Sequence, residues 1–392
     1  MRFNETQRSE HKGPNKGSWE TDMATERSTK SVRTFGRLVG GLAAATLMSL
    51  AAAHLDASTT VACGITLSGD HTYVLTEDIG PCTGPGPAIT IQGPAVLKLN
   101  GWTVSCAHEI ELTEVVEDPP GIPVAHAEEG SIGIALTGYK AELRGAGSST
   151  SGANPDPENA VIGCDRNVVV EGEGDHEVKG VTSLVAVTAA FVVTSDENEL
   201  TGNVVKQYFY SPDALLRPIK SGGTGFTIEG DKNVLYRNVA ADSWEHGFQI
   251  DGNENRMEDN VARDNDEYGV VVEGGENRVR SNSAAKNVAG GFLIGEEGEG
   301  NRLSHNVSSE SGDGDPANGF DVLGSNNQLD SNTADHNGQF GIFLAETAGM
   351  NEVEYNAVSH SDDTDMVDES PACDENSWHG NIFGTRNRSC IK

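Results

Sequence analysis

One feature limits what this chain can fold into more than any other: from Gly225 onward the sequence repeats itself. The first unit reads GFTIEGDKNVLYRNVAADSWEH, and the next, from Gly247, reads GFQIDGNENRMEDNVARDNDEY. Further units open at Gly269, Gly291, Gly319 and Gly341, at steps of 22, 22, 22, 28 and 22 residues. Each unit carries two Asn residues five apart: Asn233/Asn238, Asn255/Asn260, Asn277/Asn282, Asn301/Asn306, Asn327/Asn332 and Asn351/Asn356. A third polar column follows at Ser243, Asn265, Asn287, Ser311, Asn337 and Ser361. Asn198/Asn203 reads as an earlier copy, set apart by an insertion around residues 208–222.

A fixed period of this length means a solenoid, in which each unit buries its apolar face only against its neighbours. Within a unit, apolar residues alternate with others in short stretches, which is a strand pattern because successive side chains point to opposite faces. No stretch supports a helix of useful length. Three short strands joined by bends make one coil, and coils stack at about 4.8 Å. Stacking puts Phe226, Phe248, Val270, Phe292, Phe320 and Ile342 in one interior column. Ile228, Ile250, Val272, Ile294, Val322 and Leu344 form a second. Asn at a bend tolerates left-handed backbone angles. Stacked amides donate to one neighbour and accept from the next, as in other Asn ladders. The upstream half is less regular. Residues 88–104, 131–144, 166–170 and 184–194 alternate as degenerate early coils, and segments 107–130 and 145–160 read as outward loops.

Composition enters here because it allows a competing reading. The chain has 392 residues with 60 Asp+Glu against 27 Lys+Arg, a net charge of −33, and only 36% hydrophobic residues. Low hydrophobicity with high charge is the composition of disorder. A thin solenoid core explains it equally well, and the repeat decides for the solenoid over residues 60–390. The charge speaks against a nucleic-acid partner, which needs a basic footprint, and against attraction to anionic membranes. The apolar content is too low for several membrane spans. Lys is scarce, 11 of 392, and acids occur in nearly every coil, which fits a high-salt environment.

Residues 1–34 read as a polar, disordered extension. Arg33 and Arg37 precede an apolar run from Leu38 to Ala53, so 35–57 reads as a secretory signal or an N-terminal anchor. Met23 would give a more ordinary start. The β-helix is expected over 58–365 and a C-terminal cap over 366–392. Six cysteines, an even number in an exported chain, suggest disulfides. Proximity favours Cys63–Cys82 and Cys373–Cys390, which leaves Cys106–Cys164, with other pairings open.

The chain resembles the secreted right-handed parallel β-helix repeat family of the pectin-lyase-like superfold. The Asn-marked coil, the opening VACGITLSGDHTYVLTEDIGPC with LKLNGWTV, and the ending CDENSWHGNIFGTRNRSC carry the resemblance. It implies an all-β, single-stranded right-handed parallel β-helix of about 22-residue coils with disulfide-closed ends. It implies no single function, because the superfold holds polysaccharide lyases, hydrolases, epimerases, adhesins and copper-delivery accessory proteins. Polygalacturonase-like members carry Asp-Asp with Gly-His-Gly and Arg-x-Lys; here Asp362-Asp363 stands alone. The Asp-Pro-His-Glu of mannuronan epimerase-like members is absent.

Candidate chemistry then rests on geometry. Glu229, Asp251 and Glu273 fall on one outward column, where a shared cation, calcium for choice, would relieve their repulsion. The bend before the strand gathers Asp242, Trp244, Glu245 and His246, and in the next coil Asp264, Asp266, Glu267 and Tyr268. Trp244 beside carboxylates suits a sugar face. His246 or Glu245 is a candidate base and Tyr268 a candidate acid, with Asp251 a further catalytic candidate. Arg256 and Arg278, with Arg302, form an outward basic row suited to substrate carboxylates or to neutralising Glu258 and Asp259. The reading is a monomeric, exported solenoid that binds a polysaccharide or cell-envelope glycan, or serves as a surface structure. The alternative is a polysaccharide lyase, hydrolase or epimerase working in a groove beside column 229–273.

Overall fold

The computed structural model describes residues 60–112, 123–145, 158–210, 218–220, 223–312, 317–371 and 375–392. The expected extension 1–34, the signal-like segment 35–57 and Cys373 lie outside them. The described residues form strands and no helix. Three parallel sheets of 12, 12 and 11 strands run the length of a solenoid, each coil giving one strand to each sheet. In the coil that opens at Gly225, the first sheet takes Thr224–Ile228, the second Val234–Tyr236 and the third Val239–Ala241. The expected all-β parallel β-helix is therefore present. Successive ladder asparagines lie 22 to 26 residues apart from Asn233 onward, and 35 apart across the insertion.

Both interior columns form as expected. Phe226 pairs in register with Phe248, Phe248 with Val270, Val270 with Phe292 and Phe292 with Phe320. The rings stack, with centroids 4.7–4.8 Å apart from Phe191 to Phe248 and again from Phe292 to Phe320. The repeated Gly that opens each strand keeps the bend close to the next coil. A Cβ at Gly247 would come within 2.7 Å of the Gly269 carbonyl and 2.9 Å of the Ala262 side chain.

The asparagines form buried ladders. The Asn238 backbone N–H donates to Asn260 Oδ1 at 2.8 Å, and its Nδ2 donates to the same oxygen at 3.0 Å. Asn260 repeats this toward Asn282 and also donates to the Leu235 carbonyl at 2.9 Å. One expectation is corrected. The left-handed residue is not the ladder Asn but the residue before it, such as Lys232, Arg237, Glu254 or Asp259, with φ of 55–57°. The Asn keeps ordinary angles because its amide must point inward to its partners.

Two disulfides lie near the N-terminal end, Cys63–Cys82 and Cys106–Cys164. Cys390 is disulfide-bonded, and its expected partner Cys373 lies outside the described residues. Segment 107–130 is more than an outward loop. His108–Leu112 and Pro123–Ala127 pair antiparallel, and with Tyr208–Tyr210 and Pro218–Lys220 they make a separate four-stranded sheet. Coil stacking continues to Ser377–His379, within the expected cap. There Asp368 is fully buried and accepts from Trp378 Nε1 at 2.8 Å and from the Ser370 N–H at 3.0 Å.

Candidate functional site

The outer face of the first sheet presents one side chain per coil in each of three columns. Register puts Thr227, Gln249, Val271, Leu293, Asp321 and Phe343 in the central one. Tyr268, Gly290 and Asn318 line up at the leading edge, with His246 at the equivalent place one coil before Tyr268. Glu229, Asp251 and Glu273 follow directly after the paired Ile228, Ile250 and Val272 at the trailing edge.

Glycine at position 290 opens this surface. A Cβ there would come within 2.6 Å of the Tyr268 ring. The ring therefore lies along the sheet, and its hydroxyl donates to Asp321 Oδ2 at 3.0 Å, across two coils. Burial pushes the Tyr268 phenol well above its usual range. Burial also raises the Asp321 carboxyl, against the pull of the Tyr268 hydrogen bond. The raised phenol keeps its proton and donates it in the hydrogen bond to the carboxylate, which lowers the Asp321 carboxyl against the effect of burial.

Next to this pair, His246 Nε2 lies 3.1 Å from Glu267 Oε2. Its ring centroid is 6.3 Å from that of Tyr268. Burial lowers the imidazole below its usual range, and the charges of Glu267, Glu245 and Asp251 only partly oppose this. Glu245 accepts from Thr224 Oγ1 at 3.0 Å. Gln249 Nε2 holds both Asp251 oxygens, at 3.1 and 3.2 Å. The carboxylate of Glu273 lies over Gly295, where a Cβ would meet it at 1.9 Å. Burial first, then Asp251, Glu297 and Glu296, push the Glu273 carboxyl upward. Asp251, Asn253, Glu273 and Glu297 line an open pocket of about 550 Å³.

The structure thus brings His246, Glu245, Asp251 and Tyr268 to one face. Glu229 stands in the same column as Asp251 and Glu273 but does not line their pocket. Among the described residues, three metal-ligating atoms gather within 4.8 Å of one another only at Asp335, His336 and His360, and not in the 229–273 column. Trp244 is 38% exposed on the bend. Arg256, Arg278 and Arg302 pair in register on the second sheet, away from that bend. Arg256 is paired with Glu258, and Arg302 lies 3.7 Å from Asp330. Asp259 pairs instead with Arg237, at 3.7 Å.

Sequence reasoning missed Asp321, Gln249, Glu297 and the clearing glycine at position 290. Asp321 was findable, since the unit opening at Gly319 puts it on the central outward column.

Residues 166–308 match the family model described as the right-handed beta helix region. The Dettilon tailspike protein is similar in structure, with 15% identity and a TM-score of 0.53 over 77% of this chain. This chain spans 59% of that tailspike, and the likeness bears on fold alone. The molecule is a right-handed parallel β-helix. Weaker likenesses are to the A-module of the mannuronan C-5 epimerase AlgE4 of Azotobacter vinelandii and to the periplasmic alginate epimerase AlgG. The first has 14% identity, a TM-score of 0.44, and coverage of 81% of this chain and 86% of that one. The second, a double mutant, has 13% identity, a TM-score of 0.41, and coverage of 82% and 78%. No curated protein matches the sequence significantly.

Proposed function

We propose that the outer face of the first sheet, between Gln249 and Asp321, binds an extended glycan, and that the protein is exported and acts there as a monomer. The observation that carries this reading is the arrangement over Gly290. The glycine lets the Tyr268 ring lie along the sheet, and Asp321 fixes it there. Leu293 adds a half-buried apolar surface beside it. Gln249, Asp251 and Glu273 supply polar groups at the rim. A sugar ring matches such a surface, with an apolar face and hydroxyls at its edge. Coils spaced at about 4.8 Å also suit a polymer of repeating residues. The rim is acidic, so a neutral glycan binds unaided, whereas a polyuronate needs a cation between the carboxylates. Calcium prefers several oxygens, and Asp251, Glu273 and Glu297, which line one pocket, would have to draw together around it. Export accords with the two disulfides, which persist in oxidising compartments.

A glycan array read with and without calcium tests this. Binding of at least one glycan should fall about tenfold or more in Tyr268→Ala and be unchanged in Arg278→Ala. Binding that survives a Tyr268→Ala/Asp251→Ala double variant contradicts the proposal.

One observation favours the catalytic alternative: burial keeps His246 neutral, as a proton acceptor requires. Against it, His246 Nε2 faces Glu267 and the Tyr268 proton is held by Asp321. We expect no release of unsaturated or reducing sugars from polyuronates or neutral glycans. Turnover abolished by His246→Gln would establish the enzyme instead.

A further inference from the structure

A second cluster lies on the bends between the third and first sheets, separate from the glycan face. His336 and His360 occupy equivalent bend positions in successive coils, since the His336 N–H donates to the Ser359 carbonyl at 3.2 Å. Both have left-handed angles, φ 54° and 56°, so their side chains leave the coil in parallel. The rings stack, with centroids 4.3 Å apart and 19° between planes. Asp335 lies between them. His360 Nδ1 is 2.9 Å from Asp335 Oδ1, and His336 Nδ1 is 3.0 Å from Oδ2. Ser359 Oγ donates to Oδ1 at 2.7 Å. These contacts, that of His360 foremost, hold the Asp335 carboxyl down at about 2.

We propose that Asp335, His336 and His360 bind a divalent transition-metal ion. One ligand atom from each residue lies within 4.8 Å of the others. Two ligands about 2.1 Å from one ion stand about 3.0 Å apart at a right angle, and about 3.4 Å apart in a tetrahedron. The observed N···O distances of 2.9 and 3.0 Å, to Oδ1 and Oδ2 respectively, lie at this spacing, and turns of the side chains bring both nitrogens and one oxygen to a single ion. The donor set of two imidazoles and one carboxylate selects zinc, cobalt, nickel or copper(II) over calcium or magnesium, which prefer all-oxygen sites. A neutral ring that turns Nδ1 to the ion carries its proton on Nε2 instead, and a protonated ring releases one proton to solvent. The histidines also line a cavity of about 640 Å³ with Lys286, Glu310 and Asp362. Coordination positions left open face this space, where an exogenous anion or hydroxyl group completes the ligand set.

Titration of the chelator-stripped, tag-free full chain with zinc alone, and with cobalt alone as an optical probe, tests the proposal. One ion should bind per chain, and excess calcium should not displace it. Asn fits a left-handed bend and lacks the imidazole, so His336→Asn and His360→Asn keep the fold. Each should weaken binding about 10-fold or more. Asp335→Asn should do the same, while His305→Asn, at another left-handed bend (φ 57°), should have no effect. Absence of a bound ion overturns the proposal, as does binding that is unaltered in the His336→Asn/His360→Asn double variant or displaced by calcium.

Discussion

Glu273 is a carboxylate in a place that opposes its charge. Burial and three neighbouring acids raise its carboxyl above the ordinary value of 4.5. The folded chain therefore holds this proton more tightly than the unfolded chain. Stability from this group falls as pH rises from 4.5 through the raised value, and stays lower above it. Glu273→Gln should raise the thermal midpoint at pH 7, and the gain should vanish below about pH 4, where both forms are neutral. Calcium should shrink the gain if the ion binds there. A midpoint at pH 7 unchanged or lowered by the substitution would refute the account of this residue. The sequence revealed the column of Glu229, Asp251 and Glu273, because strand alternation fixes which positions face outward. It did not reveal that Asp251 and Glu273 are half-buried while Glu229 is exposed. That depends on Gly295 leaving room for the Glu273 carboxylate and on Glu297 lining the same pocket from a turn.

At the scale of the coil, the Asn ladder links local sequence to stacking. Asn260 Oδ1 accepts from the coil before, and its amide donates to the coil after and to the Leu235 carbonyl. Asn260→Ala leaves several buried groups unpaired, at about 1–3 kcal/mol each. A loss of about 3 kcal/mol or more in denaturant unfolding is expected, with the fold retained at neighbouring coils. A loss below about 0.5 kcal/mol, the scale of an ordinary surface change, would show that the ladder is not a main stabiliser. The period, the interior columns and the ladder were all legible, because stacking forces chemically equal residues into register. Contacts that span coils along a column were not. Tyr268 and Asp321 are 53 residues apart and meet only because Gly290 lies between them. His336 and His360 meet for a related reason, as two bends one coil apart whose chemistry the periodic pattern does not mark.

The whole molecule carries a charge of −33 on a narrow core. Acids such as Glu229, Glu254, Asp259 and Glu276 stand exposed on the trailing edge and bends, so the charge acts mainly through mutual repulsion across solvent. Salt screens such repulsion, with a Debye length of about 3 Å at 1 M against about 30 Å at 0.01 M. The thermal midpoint should rise steadily with sodium chloride over that range, and indifference to salt would contradict this view of the surface. The same acidity shapes the proposed binding face, where Tyr268, Leu293 and Asp321 lie inside an acidic rim. The most direct measurement is a crystal structure of the protein soaked with an oligosaccharide that binds on the array. Our account predicts a sugar ring over Tyr268 and Leu293, with hydroxyls at Gln249, Asp251 or Asp321. A sugar seated on the Arg256–Arg278 row of the second sheet, with the Tyr268 face bare, would contradict it.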